Sequence, residues 1–135
     1  MSTLKNIKKH TFNCFADKRG YLLPIDLDMF DFQPKRIFVV NGVPVGSVRG
    51  NHSHYKTKQY LICTRGSVNV MLDDGTTTKT ITLTQNESVL IPELIWDSQE
   101  FLSEDAEILV VCSTKYDIND YILTYDEFIN TVNNG

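Results

Sequence analysis

The chain has 135 residues, 41% of them hydrophobic and 22% charged, which suits one self-sufficient domain over residues 1–135 and excludes a disordered polypeptide. A net charge of −4 and a pI near 5.3 argue against nucleic acid or an anionic membrane as the main partner, while leaving room for a locally basic pocket. Cys14, Cys63 and Cys112 are odd in number, widely spaced and outside any CxxC pattern. With a polar N-terminus and no apolar run of membrane-spanning length, they lead to the expectation of a cytoplasmic protein.

Taken in chain order, the predicted strands cover residues 11–15, 21–25, 36–41, 60–72, 78–83, 88–91 and 107–113. Turns separate them at Gly42-Val43-Pro44 and at Ile91-Pro92, and Gly66 is a glycine turn inside the 60–72 run. Asp73-Asp74-Gly75 is a hairpin signal, because Asp-Gly tolerates the positive φ that tight hairpins require. Many short strands with regular turns predict an all-β barrel or jelly roll. Only the C-terminus reads as helical. There Tyr121, Ile122, Tyr125, Phe128 and Ile129 recur at nearly helical spacing and predict a segment that docks on the barrel or on a second subunit. Cys63 and Cys112 lie inside apolar runs and read as core filler.

Arg49-Gly50-Asn51-His52-Ser53-His54 carries the chemistry. Histidines two residues apart on a strand share one face, and imidazole serves equally as proton carrier near neutral pH and as metal ligand. A β-barrel with His-x-His and a spaced glycine suggests the cupin superfamily. Its metal-binding pattern has glutamate five residues after the second histidine and glycine seven further on; here those positions are Gln59 and Gly66. The later histidine of that pattern, five residues after Pro92, is replaced by Asp97. An amide oxygen is a poor transition-metal ligand, so the four-ligand cage is depleted. His52, His54 and Asp97 could still compose a two-histidine, one-carboxylate triad; without a metal, the imidazoles are placed to move protons. His10 shares none of this context and reads as a surface residue.

The ordered set Asp17-Lys18-Arg19-Gly20-Tyr21-Leu22, Lys35-Arg36-Ile37-Phe38, Arg49 to His54, Gln59-Tyr60-Leu61-Ile62-Cys63, Gly66-Ser67-Val68, Leu72-Asp73-Asp74-Gly75 and Tyr116-Asp117-Ile118-Asn119-Asp120-Tyr121-Ile122 resembles the dTDP-sugar 3,4-ketoisomerases, the WxcM-like family. The resemblance implies a cupin-type jelly-roll barrel with a short C-terminal helix, and a homodimer with exchanged N-terminal strands. It implies conversion of dTDP-4-keto-6-deoxyglucose into a dTDP-3-keto-6-deoxyhexose with no metal or organic cofactor. The product would pass to an aminotransferase making a 3-amino sugar for bacterial surface glycans. The galacto product is preferred over the gluco one, without a physical argument.

The reaction suits these residues: removing the proton at C3, passing through an enediol and reprotonating C4 needs a base and a group that stabilises developing charge on oxygen. His54 is assigned as base and His52 as shuttle, an assignment that could be exchanged. Arg49 is the candidate for stabilising the enediolate or the pyrophosphate. Lys35, Arg36, Gln59, Tyr60, Trp96 and Asp97 are the candidate substrate contacts. The chain departs from its resemblance in three places. Phe38 and Val39 stand where relatives often have tyrosine; were that phenol essential, the chain would be slow or would use Tyr55 or Tyr60 instead. Tyr55 follows the second histidine where lysine is frequent, and Asp97 stands where histidine or glycine is frequent. The competing readings are a metal-dependent cupin on His52, His54 and Asp97, and a nucleotide-sugar binder without catalysis.

Overall fold

A computed structural model gives the structure, which describes residues 4–134. In chain order the described residues form β1 (Lys9–Thr11), β2 (Phe15–Asp17), β3 (Gly20–Leu22), β4 (Arg36–Val40), β5 (Val48–His54), β6 (Gln59–Arg65), β7 (Ser67–Asp73), β8 (Thr78–Thr84), β9 (Glu87–Ile91), β10 (Trp96–Phe101), β11 (Glu107–Cys112), β12 (Tyr121–Ile122) and one α-helix, α1 (Tyr125–Asn134). Two five-stranded antiparallel sheets, β1-β9-β6-β11-β4 and β12-β5-β10-β7-β8, enclose the core, and β2–β3 makes a separate hairpin. Sequential strands repeatedly change sheet, giving the expected all-β, cupin-type jelly roll with its short C-terminal helix.

Alternation decides what the core contains. Val68, Val70 and Leu72 on β7 and Ile81 and Leu83 on β8 face Leu61, Cys63, Ile108 and Val110 of the opposite sheet. The strand β6 is covered on both faces. Its outer residues Tyr60 and Ile62 lie under Phe12, Phe30, Leu23, Ile25 and Phe32, a second apolar cluster supplied by the N-terminal segment. Burial on two faces explains the unbroken run Leu61-Ile62-Cys63.

Several boundaries differ from the expectations. The predicted strand over residues 11–15 is interrupted, because Phe12 turns into the second cluster while its N–H bonds the Asn86 carbonyl. The run over residues 60–72 is two strands, β6 and β7, which cross from one sheet to the other at Gly66. Tyr121 and Ile122 are not helical. They pair with His54 and Ser53 and complete the edge of β5, with Ile122 fully buried. The helix begins after Thr124, whose hydroxyl accepts from the Glu127 N–H at 3.2 Å as an N-cap. Gly75, at φ +96°, lets α1 pack onto the β7–β8 hairpin, since a Cβ there would lie 2.9 Å from Val132 Cγ2.

Candidate active site

The site is built by a bulge in β5. Opposite β10, Ser98 pairs with Gly50 and Asp97 with His52, so two residues on one strand face three on the other and Asn51 is extra. Gly50 at φ +90° and Asn51 at φ +58° make this turn of the backbone. A Cβ on Gly50 would lie 3.1 Å from the Asp97 carbonyl and from Gln99 Oε1. The bulge reverses the parity of the strand. Arg49, three residues before His52, would otherwise face the opposite side; the register puts Arg49, His52 and His54 on the inner face together.

The two imidazoles meet edge to face, with ring centroids 5.1 Å apart. Tyr121, paired with His54, adds its ring at 4.4 Å from His54 and 5.3 Å from His52. Arg36 reaches across from β4, its Nη1 3.4 Å from the Tyr121 hydroxyl and its guanidinium over the rings of Phe38 and Tyr116. Between the sheets lies a cavity of about 80 Å³, lined by Phe38, Val40, Arg49, His52, Gln59 and Gln99 among others.

Burial sets the charges. It lowers His52, partly opposed by the Gly50 backbone. It also depresses His54 to about 4, reinforced by His52 and opposed by Asp120. Both rings are therefore neutral at pH 7, able to accept a proton. Asp97 is fully buried and raised by desolvation to about 7, against the stabilising bond that Gln99 Nε2 donates to its Oδ1 at 2.5 Å. His52 Nε2 and His54 Nε2 are buried without a hydrogen-bond partner, and the buried His54 Nδ1 has no partner of good hydrogen-bond geometry but lies 3.4 Å from Asp120 Oδ2. Unsatisfied buried polar atoms are costly in a core and commonest where a ligand or reaction needs them.

The sequence candidates do not all converge. Arg49 stands exposed at the cavity mouth, Arg36 and His52 are half-buried, and Gln59 is buried on the inner face of β6 with Nε2 3.6 Å from Cys112 Sγ. Lys35 is exposed at the entry to β4. The structure does not bring Tyr60 or Trp96 here. Tyr60 points outward, its ring centroid 5.0 Å from that of Phe30. Trp96 lies on the outer face of β10 against Tyr125 and Phe128 of the helix. Each is adjacent in sequence to an inward residue, and strand alternation sends it the other way. Tyr55 is also exposed, on the wall of a separate pocket with Lys56 and Asp117. The phenol that reaches the histidines is Tyr121, which helical spacing had placed on a helix. Among the described residues, no three His, Cys, Asp or Glu side chains gather as a metal-holding group, and the carboxylate nearest His54 is Asp120 rather than Asp97.

Comparison with known proteins adds an independent line. The family model FdtA, described as WxcM-like, C-terminal, matches residues 5–133. The chain belongs to the FdtA family. It is 34% identical over 119 residues, 87% of this chain and 86% of the relative, to the TDP-4-oxo-6-deoxy-α-D-glucose-3,4-oxoisomerase of Aneurinibacillus thermoaerophilus. The FdtA-family fold also superposes on QdtA, a sugar 3,4-ketoisomerase from Thermoanaerobacterium thermosaccharolyticum solved with TDP, at TM-score 0.89 and 34% identity over 98% of each chain. A 3,4-ketoisomerase from Helicobacter canadensis matches at TM-score 0.86 and 34% identity, covering 95% of this chain and 98% of that one.

Proposed function

We propose that this protein is a dTDP-4-keto-6-deoxyglucose 3,4-ketoisomerase that transfers protons with its two histidines and needs no cofactor. The observation that carries the reading is the pair of neutral imidazoles on one sheet face, whose buried Nε2 atoms no protein group occupies. Relatives of the same size and fold carry the 3,4-ketoisomerase activity in their names, which supports the substrate class.

The proton count closes within the site. His54 removes the proton from C3, leaving an enediolate with its charge on the C4 oxygen. The neutral His52 takes the O3 proton and passes it to the C4 oxygen, and the His54 imidazolium delivers its proton to C4. The carbonyl has moved from C4 to C3, both histidines are restored, and nothing is oxidised from outside. Arg49 at the mouth offers paired donors to the developing oxyanion or to the pyrophosphate. Arg36, with Lys35 beside it, and the inner-face residues Gln59 and Asp97 are the remaining ligand contacts; Tyr60 and Trp96 are left out because they pack elsewhere. The cavity has room only for the reacting edge of the sugar, so the nucleotide extends past its mouth.

A homodimer belongs to this reading. Ile37 and Val39, 52% and 51% exposed on the outer face of β4, and Phe15 and Leu22 on the β2–β3 hairpin leave apolar surface that a second copy would cover. Light scattering should give twice 15.4 kDa, and a monomer would remove this part. The reading also places the enzyme in the cytoplasm, in keeping with three free cysteines, and upstream of an aminotransferase that makes a 3-amino sugar for surface glycans.

The test is incubation with dTDP-4-keto-6-deoxyglucose in D₂O, followed by proton NMR. Loss of the C3 proton signal with growth of a 3-keto product is expected, and couplings in the product assign it as galacto, the preferred outcome, or gluco. Binding without C3 exchange would replace the isomerase with a nucleotide-sugar binder. Exchange that needs a stoichiometric metal found by elemental analysis would favour a metal-dependent cupin on His52, His54 and Asp97.

A further inference from the structure

The carboxylate of Asp120 is held more tightly than a loop acid requires. Its Oδ1 accepts from the Lys56 N–H at 2.9 Å, and its Oδ2 accepts from the Thr57 N–H at 3.1 Å and from the Thr57 hydroxyl. Those donors lie two and three residues after His54, and the next residue after Asp120, Tyr121, pairs with His54 across the β5–β12 ladder. The carboxylate is thereby fixed at His54, with Oδ2 3.4 Å from Nδ1 and only 10% of the Asp120 side chain exposed.

An ionised carboxylate only accepts hydrogen bonds, so it favours an imidazole that presents N–H rather than a lone pair. Proximity to Nδ1 therefore selects the tautomer with the proton on Nδ1 and a lone pair on Nε2. The Nε2 of His54 is buried and unpartnered, and the ring lies edge to face with His52 on the inner surface. The other charged or titratable groups around the ring are His52, Tyr121 and Arg36; the first and last oppose its protonation, and Asp120 favours it.

We propose that Asp120 is the positioning residue of the isomerisation, holding His54 as the Nδ1–H tautomer and leaving Nε2 as the base. The proposal rests on the reading of His54 as base. It assigns a task to a residue that touches the histidine and not the cavity.

The test uses the full chain labelled with ¹⁵N-histidine. At pH 7 the wild-type His54 should show a protonated Nδ1 and an unprotonated Nε2. Asp120→Asn should shift the population toward Nε2–H and lower kcat for C3 exchange by up to about 10⁴-fold, the drop that tautomer loss causes in a Ser-His-Asp triad, with KM changed less than about threefold. Asp120→Glu should restore the Nδ1–H signal and part of the rate. Thr57→Val removes one donor from the carboxylate but keeps the carboxylate itself, so tautomer and kcat should both persist. A wild-type His54 protonated at Nε2 overturns the proposal with no variant needed. So does an Asp120→Asn protein that folds and keeps both tautomer and kcat. A wild type with the Nδ1–H tautomer but no C3 exchange supports the Asp120–His54 arrangement and fails the isomerase reading instead.

Discussion

The strands β5 and β6 have the same length and opposite designs. In β6 alternation is unbroken: Gln59, Leu61 and Cys63 turn inward, while Tyr60 and Ile62 turn outward beneath the N-terminal segment. In β5 the bulge at Gly50-Asn51 breaks alternation, and the inward set is Arg49, His52 and His54. One strand obtains stability from apolar burial on both faces. The other gives up pairing and buries unpartnered nitrogens, which stability alone would not select. The contrast predicts that substitutions in β5 act mainly on rate and those in β6 mainly on folding.

His54→Asn should separate the two most widely. Losing the base is expected to lower kcat for C3 exchange by roughly 10²- to 10⁴-fold, the range of general acid–base catalysis, while the melting temperature is kept or raised because a buried unpaired ring has gone. Activity within tenfold of wild type would remove β5 from the chemistry. Ile62→Ala is the counterpart in β6. Its side chain is fully buried in the outer cluster, and truncation should cost about 2–5 kcal/mol in denaturant unfolding with kcat little changed below the transition. A rate loss matching that of the histidine variant would contradict the division of labour.

The same contrast explains what the sequence discloses. Two-sided burial forces an apolar run on β6, and the Asp73-Asp74-Gly75 turn needs positive φ at Gly75, so both are legible. The His52–His54 pair is legible because a spacing of two shares a face in any regular strand. Most of the surrounding site is not. Val48-Arg49-Gly50-Asn51 and Trp96-Asp97-Ser98-Gln99-Glu100-Phe101 lie outside the predicted strands, yet both belong to paired strands whose inward polar residues face the cavity. No periodicity predicts that Arg49 joins His52, since their odd spacing puts them on opposite faces until the bulge intervenes. Tyr60 and Trp96 fail for the complementary reason: without register, a residue adjacent to an inward position cannot be told from that position. Asp120 and Tyr121 precede a helix with compatible aromatic spacing, and only the pairing with β5 shows that the chain is still extended there. Their signal was the Thr124-x-x-Glu127 cap, which starts the helix after them.

Gly50→Ala tests the bulge itself. The residue sits at φ +90°, and its new Cβ would lie 3.1 Å from two oxygens and from Ser98 Cα. Strain of that kind costs about 1–3 kcal/mol, so the variant should unfold at lower denaturant and also lose activity as Arg49 and His52 shift. An unchanged denaturation midpoint would mean that the bulge relaxes without Gly50.

Asp97→Asn tests why β5 and β10 bury titratable groups facing each other. Asp97 is raised from its ordinary 3.8 to about 7, so between those values the folded protein binds a proton that the unfolded chain releases. Its contribution to stability is present below about pH 4 and lost as pH rises through 7, with a limiting slope of about 1.4 kcal/mol per pH unit. His54, depressed from 6.5 to about 4, has the opposite sign: the unfolded chain binds the extra proton, so stability is lost as pH falls from 6.5 toward 4. The lowered His52 adds to that loss. In the wild type these opposing slopes offset one another over the shared window. Asparagine retains the acceptor for Gln99 Nε2 and removes only the titration. The variant should therefore gain stability relative to wild type at each step from pH 5 to pH 7, read as a growing difference in denaturation midpoint. A difference that stays constant across that range would mean Asp97 is charged in the folded protein, and the neutral, water-excluded environment assigned to the facing histidines would have to be abandoned with it.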